Sequence, residues 1–175
     1  MNTACFDLEC SNLAADYGTL LCAVIKPLGC EPTIIRLPRS PATCKDLDRR
    51  LAIAIRNELA QYDVLVSWNG KRFDIPYLNA RLFYHNLPPL DRVKHVDLMY
   101  TARYRMHLSN ARLETVAMHL STKARKTRLD PAYWIRAVGG DAKAMQYIVD
   151  HCIADVELLE ECFEKLKSQI DCIWK

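Results

Sequence analysis

The sequence has no apolar run that approaches the roughly 20 residues a helix needs to cross a bilayer. Its first residues, Met-Asn-Thr-Ala-Cys-Phe-Asp, lack the basic region and the apolar stretch of a secretory signal. These absences argue against a membrane protein and a secreted protein, and we expect a cytoplasmic one. Internal repeats, linkers and low-complexity stretches are also absent, so we expect the 175 residues to form a single domain, 1–175.

The eight cysteines do not form a zinc-ribbon pattern, because no two have the CxxC spacing and no CxxC…HxxxH arrangement exists. Without a secretory signal, disulfides are not expected either. We therefore interpret the cysteines as free, buried thiols. The three tryptophans are expected to pack in the core or at its edge.

The net charge of +3 is too small to indicate a nucleic-acid partner by itself. The basic residues are nevertheless clustered in the second half of the chain. A solvated loop and a track for phosphates both fit such a cluster. The cluster consists of Lys123, Arg125, Lys126 and Arg128, and it is preceded by Arg103, Arg105 and Arg112.

Apolar segments with strand or helix periodicity follow one another in a mixed order. They predict strands over 3–8, 19–25, 33–37, 64–67 and 95–96, with helices over 46–62 and 75–84. Further helices are predicted over 112–120, 131–138 and 142–168, the last being one helix or two broken near Asp150. This order predicts an α/β fold with a mixed five-stranded sheet, three antiparallel strands followed by two parallel ones, flanked by helices.

Acidic residues follow two of the predicted strands. Asp7 and Glu9 are two residues apart in the first strand, so both side chains point to the same face. Either they form a solvated strand end or they converge on a cation that offsets their burial. Asp74 begins the helix after the 64–67 strand, where both a capping role and a ligand role fit. Asp97, after the 95–96 strand, is expected to cap a helix rather than bind metal.

His151 and Asp155 are four residues apart in the last predicted helix and so share one of its faces. A surface pair is the common form of this spacing.

Three segments in order resemble the exonuclease motifs of the DEDD (DnaQ-like) 3′–5′ exonuclease superfamily, which has an RNase H-like fold. They are Phe-Asp-Leu-Glu at 6–9, Asn-Gly-Lys-Arg-Phe-Asp-Ile-Pro-Tyr-Leu at 69–78, and His-Cys-Ile-Ala-Asp-Val at 151–156. The second is very similar to the motif in proofreading domains of family-B DNA polymerases. Small standalone RNase H-like predicted exonucleases are also similar.

The resemblance implies a two-metal-ion hydrolysis of phosphodiester bonds that releases nucleoside 5′-monophosphates from a single-stranded 3′ end. It implies Mg²⁺ or Mn²⁺ as the cations, since these prefer oxygen ligands. Asp7 would contact both ions, Glu9 and Asp155 would complete one site, and Asp74 would act largely through water. A proofreading role would require a separate polymerase or helicase partner.

The third motif departs from the family pattern. In one branch of the family, three residues separate a tyrosine from the last aspartate, and in the other branch four residues separate a histidine from it. This chain has His151 at the tyrosine spacing, since three residues separate it from Asp155. We expect His151 to be the general base, with Tyr147, one helical turn earlier, as the alternative.

Substrate contacts are expected from Ser11 and Asn12 after the first motif and from Asn69 and Phe73 in the second. The cluster at 123–128 would follow the phosphates. Two other functions fit the same fold, namely an RNase H-like endonuclease and a catalytically silent module that binds nucleic acid or protein. The sequence leaves open whether the substrate is DNA or RNA.

Overall fold

A computed structural model describes residues 1–38, 48–90, 93–124 and 130–170 of the chain. Five strands form one sheet, whose order is β3-β2-β1-β4-β5. The strands are β1 (Thr3–Cys10), β2 (Leu20–Pro27), β3 (Thr33–Arg36), β4 (Val64–Ser67) and β5 (Lys94–Asp97). The helices are α1 (Arg49–Leu59), α2 (Asp74–Tyr84), α3 (Leu98–Arg105), α4 (Leu113–His119), α5 (Ala132–Val138) and α6 (Ala142–Leu166), the last followed by a 3₁₀ turn at Lys167–Gln169.

The predicted α/β architecture is confirmed. Strands β1, β2 and β3 pair antiparallel, whereas β4 and β5 continue the sheet parallel to β1. The two central strands β1 and β4 are buried along almost their whole length, because elements cover both faces of the parallel part. Helix α6 packs on β1 and β2, and α1 packs on β2 and β3.

The predicted element boundaries are shifted by a few residues. Strand β1 continues through Cys10 instead of ending at residue 8, and β2 continues to Pro27, so the following turn begins later than expected. The register between these strands slips between Glu9 and Cys10, where β2 has one extra residue. Such a bulge re-aims side chains at the end of a strand, and here the strand end is the first acidic motif.

Helix α6 is one uninterrupted helix, which settles the question left open at Asp150. That residue is exposed, and its carboxylate accepts a hydrogen bond of 2.8 Å from the Gln146 amide one turn earlier. It therefore lies on the solvent face and does not break the helix. The helix begins as predicted, since the Asp141 side chain accepts hydrogen bonds from the N–H groups of Lys143 and Ala144.

Five of the six cysteines in the described residues are buried free thiols, as predicted, but Cys30 is exposed. Burial raises the pKa of Cys10 to about 12, so this thiol stays protonated at neutral pH. Cys44 and Cys172 lie outside the described residues. Across the described ranges, no helix combines the length and the apolar character that crossing a membrane requires.

Candidate active site

A cleft of about 520 Å³ opens at the carboxyl ends of the parallel strands β1 and β4. This edge of an α/β sheet is where ligand-binding groups usually lie. All four carboxylates of the three sequence motifs line it. The lining residues are Asp7, Leu8, Glu9, Cys10, Asn12, Leu13, Trp68, Asn69, Phe73, Asp74, Glu114, Trp134, His151 and Asp155.

Asp7 and Glu9 both face helix α6, as their spacing on β1 predicts. The Cys152 thiol donates a hydrogen bond to Asp7 Oδ2 across 3.5 Å. Glu9 Oε1 lies 3.8 Å from His151 Nε2. Strand β1 therefore presents both carboxylates to the face of α6 that carries the third motif.

Asp74 begins α2 and is only 3% exposed. Its Oδ1 atom accepts a hydrogen bond of 3.2 Å from the backbone N–H of Leu8, which fixes the second motif against the first. Burial raises the pKa of Asp74 well above its usual value, and the negative charge of Asp7 raises it further. Two facing acids of this kind favour a cation between them.

His151 and Asp155 point from α6 into the same cleft. His151 Nε2 lies 3.6 Å from Asp155 Oδ2, and both residues are 7% exposed. Tyr147, the alternative base, is 39% exposed and its ring stacks on Tyr133 of α5 with the centroids 4.3 Å apart. His151 lines the cleft and Tyr147 does not.

The turn that joins β4 to the second motif has an unusual backbone. Asn69 has a φ of 67°, in the left-handed region that asparagine tolerates better than most residues. The Asp97 carboxylate helps to hold the turn, because it accepts hydrogen bonds from the N–H of Asn69 at 2.8 Å and from the N–H of Lys71 at 3.0 Å. Asp97 does stand at the N-cap position of α3, as predicted, but these bonds join its carboxylate to the turn.

Gly70 completes this turn, because a Cβ there would collide with the Ser67 side chain. The Gly70 N–H donates to Ser67 Oγ at 3.1 Å, and the same oxygen lies 2.7 Å from His95 Nε2. Burial lowers the pKa of His95 to about 4, and the nearby charge of Lys71 lowers it as well. A neutral imidazole therefore supports the turn that places Asn69 and Phe73 in the cleft.

Two tryptophans line the cleft, which sequence reasoning did not anticipate. Both pack against the core, as expected, but each also donates a hydrogen bond at the site. The Trp134 indole N–H donates to Glu9 Oε2 at 3.1 Å, and the Trp68 indole N–H donates to the Ala111 carbonyl at 3.1 Å. Because Trp68 directly precedes the second motif, its place in the cleft could have been predicted from the sequence. Nothing in the spacing links Trp134 to Glu9.

The expected substrate-binding residues divide into two groups. Asn12, Asn69 and Phe73 line the cleft, whereas Ser11 does not, and its hydroxyl accepts a hydrogen bond from the Thr19 N–H instead. Lys123 lines a different pocket, where its backbone N–H donates to Glu161. The other members of the basic cluster, namely Arg125, Lys126 and Arg128, lie outside the described residues.

The donor set of the cleft fits hard divalent cations, since its charged oxygen ligands come from the four motif carboxylates together with Glu114. Among the described residues that line the cleft, no lysine or arginine neutralises these carboxylates. In the described part of the chain, no three His, Cys, Asp or Glu side chains stand in the arrangement of a closed metal site. The fit of divalent cations to the cleft therefore rests on the oxygen chemistry of the carboxylates and on their convergence in one place.

A family model of the RNase H superfamily matches residues 4–167, nearly the whole chain. The chain belongs to the RNase H superfamily. RNase H-like nucleases generally use divalent metal ions, and such ions prefer the oxygen donors that line the cleft. No curated protein matches the chain.

The family B DNA polymerase of the hyperthermophilic archaeon Pyrobaculum calidifontis has a similar structure, with a TM-score of 0.70 and 17% sequence identity. The match covers 95% of this RNase H superfamily chain and 24% of the polymerase chain. At this identity the likeness establishes the fold alone.

Proposed function

We propose that this protein is a metal-dependent 3′–5′ exonuclease of the DEDD type, which removes nucleoside 5′-monophosphates from single-stranded DNA or RNA. The observation that carries the proposal is the convergence of the four motif carboxylates on one cleft beside His151. The resemblance of the second motif to polymerase proofreading domains, together with the fold shared with a family B DNA polymerase, supports it.

Two divalent cations, Mg²⁺ or Mn²⁺, would be held by Asp7, Glu9, Asp74 and Asp155, with Asp7 shared between them. Such a pair, when bound, supplies an activated water, neutralises charge at the phosphorus and assists the leaving 3′ oxygen.

The protein's own acid–base group would be His151, in the place of the tyrosine found in one branch of the family. Its Nε2 lies within 4 Å of both Glu9 Oε1 and Asp155 Oδ2. This position would put the imidazole beside a water activated at the proposed cations, from which the ring would take a proton. Asn69 and Phe73 would position the terminal nucleotide, since both line the cleft next to Asp74.

Oligonucleotides labelled at either end test the polarity and the nucleic acid together. With Mn²⁺ present, we expect a 5′ label to appear on progressively shorter products and a 3′ label to be released as a mononucleotide. Asp7→Asn should abolish this cleavage, because it removes the shared carboxylate. Asp63→Asn is the matched control, since Asp63 is exposed at the opposite end of β4 and its side chain accepts a hydrogen bond from the Asn2 N–H.

Retained metal-dependent cleavage in Asp7→Asn would refute the proposed site. Cleavage of a circular single strand would identify an endonuclease instead. Absence of Mn²⁺ binding in a calorimetric titration of the wild-type protein would favour a catalytically silent module.

A further inference from the structure

A second groove, of about 470 Å³, lies between α3 and α4. Its basic lining residues are Arg103, His107 and Arg112, and none of the described residues that line it is an aspartate or a glutamate. Both arginines are exposed. Within the described ranges, neither arginine side chain makes an ion pair with a carboxylate, so the positive charge of the groove is not neutralised there.

The groove adjoins the acidic cleft. Trp68 lines the cleft, and its indole N–H donates to the carbonyl of Ala111, which lines the groove. One short segment spans both, because Arg112 lines the groove and Glu114, two residues later, lines the cleft. A chain-like ligand that leaves the cleft past Trp68 would therefore reach the arginines directly.

The two depressions carry opposite charge. In the described part of the chain, five carboxylates and no lysine or arginine line the cleft, whereas two arginines and no carboxylate line the groove. A polyanion needs cations at the acidic cleft but can bind the groove directly. Arginine suits this role because its planar guanidinium donates two parallel hydrogen bonds to a phosphate.

We propose that the groove between α3 and α4 binds the phosphate backbone of a single strand whose 3′-terminal nucleotide lies in the cleft. This inference rests on the proposed nuclease function and specifies how the substrate is held. It assigns the phosphate contacts to Arg103 and Arg112. The groove would then recognise the charge of the backbone and not the sequence of the bases.

Fluorescence anisotropy with oligothymidylate and oligouridylate in EDTA tests the groove without cleavage. The double variant Arg103→Glu/Arg112→Glu should bind both oligonucleotides at least roughly tenfold more weakly at low salt than the wild type. The slope of log affinity against log salt should become shallower by about 1.4, because each lost phosphate contact on a single strand accounts for ~0.7. A weaker affinity for only one of the two oligonucleotides would assign the groove to that nucleic acid.

The matched control is Arg50→Glu/Lys94→Glu, which makes the same change in net charge. Arg50 is exposed on α1 and Lys94 is exposed at the amino end of β5, and neither lines the cleft or the groove. The neutral variant Arg103→Gln/Arg112→Gln should show the same direction of change with a smaller loss of affinity. Equal affinities and salt slopes in the groove and control variants would overturn the inference.

Cleavage of a dinucleotide with Mn²⁺ separates this inference from the nuclease proposal. An unphosphorylated dinucleotide has a single phosphate, the one to be cleaved in the cleft, so it offers no phosphate to the groove and the groove variant should cleave it at the wild-type rate. Weakened binding of the long strands with no dinucleotide cleavage in any variant would retain the groove and refute the nuclease. Wild-type cleavage of the dinucleotide together with unchanged binding of the long strands would retain the nuclease proposal and refute the groove.

Discussion

At the scale of single residues, Trp134 connects the C-terminal helices to the first strand. Its indole N–H donates to Glu9 Oε2, while Glu9 Oε1 faces His151 Nε2. One carboxylate oxygen of Glu9 thus faces a residue of α5, and the other faces a residue of α6. A hydrogen-bond donor behind a metal ligand orients that ligand, so in the proposed metal site Trp134 would position Glu9.

Trp134→Phe should weaken Mn²⁺ binding by about tenfold, because it removes the N–H donor and keeps an aromatic ring in the cleft wall. Isothermal titration of the protein with Mn²⁺ measures this without any substrate. Trp68→Phe is the control, since the Trp68 indole donates to a backbone carbonyl and not to a carboxylate. Equal Mn²⁺ affinity in the two variants would contradict a role for the Trp134 hydrogen bond.

His151 and Tyr147 lie one turn apart on α6, yet their surroundings differ. His151 is buried among carboxylates of the cleft, whereas Tyr147 stacks on Tyr133. We expect His151→Ala to lower kcat by a factor of about 10² to 10⁴, the usual contribution of a general base. Tyr147→Phe keeps the stacked ring and should leave kcat unchanged. Single-turnover cleavage of a labelled oligonucleotide compares the variants, and the opposite ranking would assign the base to Tyr147.

At the scale of elements, a buried ion cluster joins the start of α1 to α2 and β2. Asp48 has no exposed surface and accepts hydrogen bonds from Arg81 Nε at 2.8 Å and from the Leu20 N–H at 2.9 Å. His85 Nε2 lies 2.7 Å from the same carboxylate. Burial acts to raise the pKa of Asp48, but the hydrogen bonds from Arg81 and His85 outweigh it and lower the pKa below its usual value.

Asp48→Asn should destabilise the protein by about 3–5 kcal/mol at neutral pH, because it leaves the buried Arg81 charge uncompensated. A lowered carboxyl pKa stabilises the fold above the unfolded value of about 3.9, and this contribution is lost as the pH falls through the lowered folded value. Urea denaturation at several pH values should show that the difference in the free energy of unfolding between wild type and variant becomes smaller in acid. Arg136→Ala, which breaks the exposed pair with Asp141, should have a far smaller effect.

At the scale of the whole molecule, local patterns predicted the sheet and most of the cleft. The apolar runs in 3–8 and 64–67 are short-range signals. The i, i+2 rule correctly put Asp7 and Glu9 on one face, and the i, i+4 rule did the same for His151 and Asp155. The resemblance linked the motifs to one another. Contacts between distant segments carry no such signal, since Trp134 meets Glu9 across 125 residues of chain.

Element ends were predicted less well for the same reason. The extra residue of β2 opposite Glu9 and Cys10 is a property of two paired strands and is not visible in either strand alone. Likewise, the hydrogen bonds that Asp97 accepts from the turn at Asn69 depend on the pairing of β4 with β5. The capping position of Asp97 could be predicted locally, but its hydrogen-bond partners could not.

The charge in the cleft would link the proposed metal binding to the stability of the entire fold. Because the pKa of Asp74 is raised in the folded protein, ionisation of this carboxyl costs stability as the pH rises through its unfolded value of about 3.9, and the cost persists at neutral pH. A cation that binds only the folded state reverses this cost. At 100 times its dissociation constant it stabilises a protein by about 2.7 kcal/mol.

The melting temperature of Asp74→Asn should therefore be above that of the wild type without metal and below it with metal. In EDTA the variant should melt at a higher temperature, because the amide removes the repulsion with Asp7 and its oxygen can still accept from the Leu8 N–H. With Mn²⁺ the wild type should gain stability and the variant should gain much less. Asp150→Asn, an exposed change on α6, should follow the wild type in both conditions. An equal gain from Mn²⁺ in Asp74→Asn would remove Asp74 from the proposed ligands.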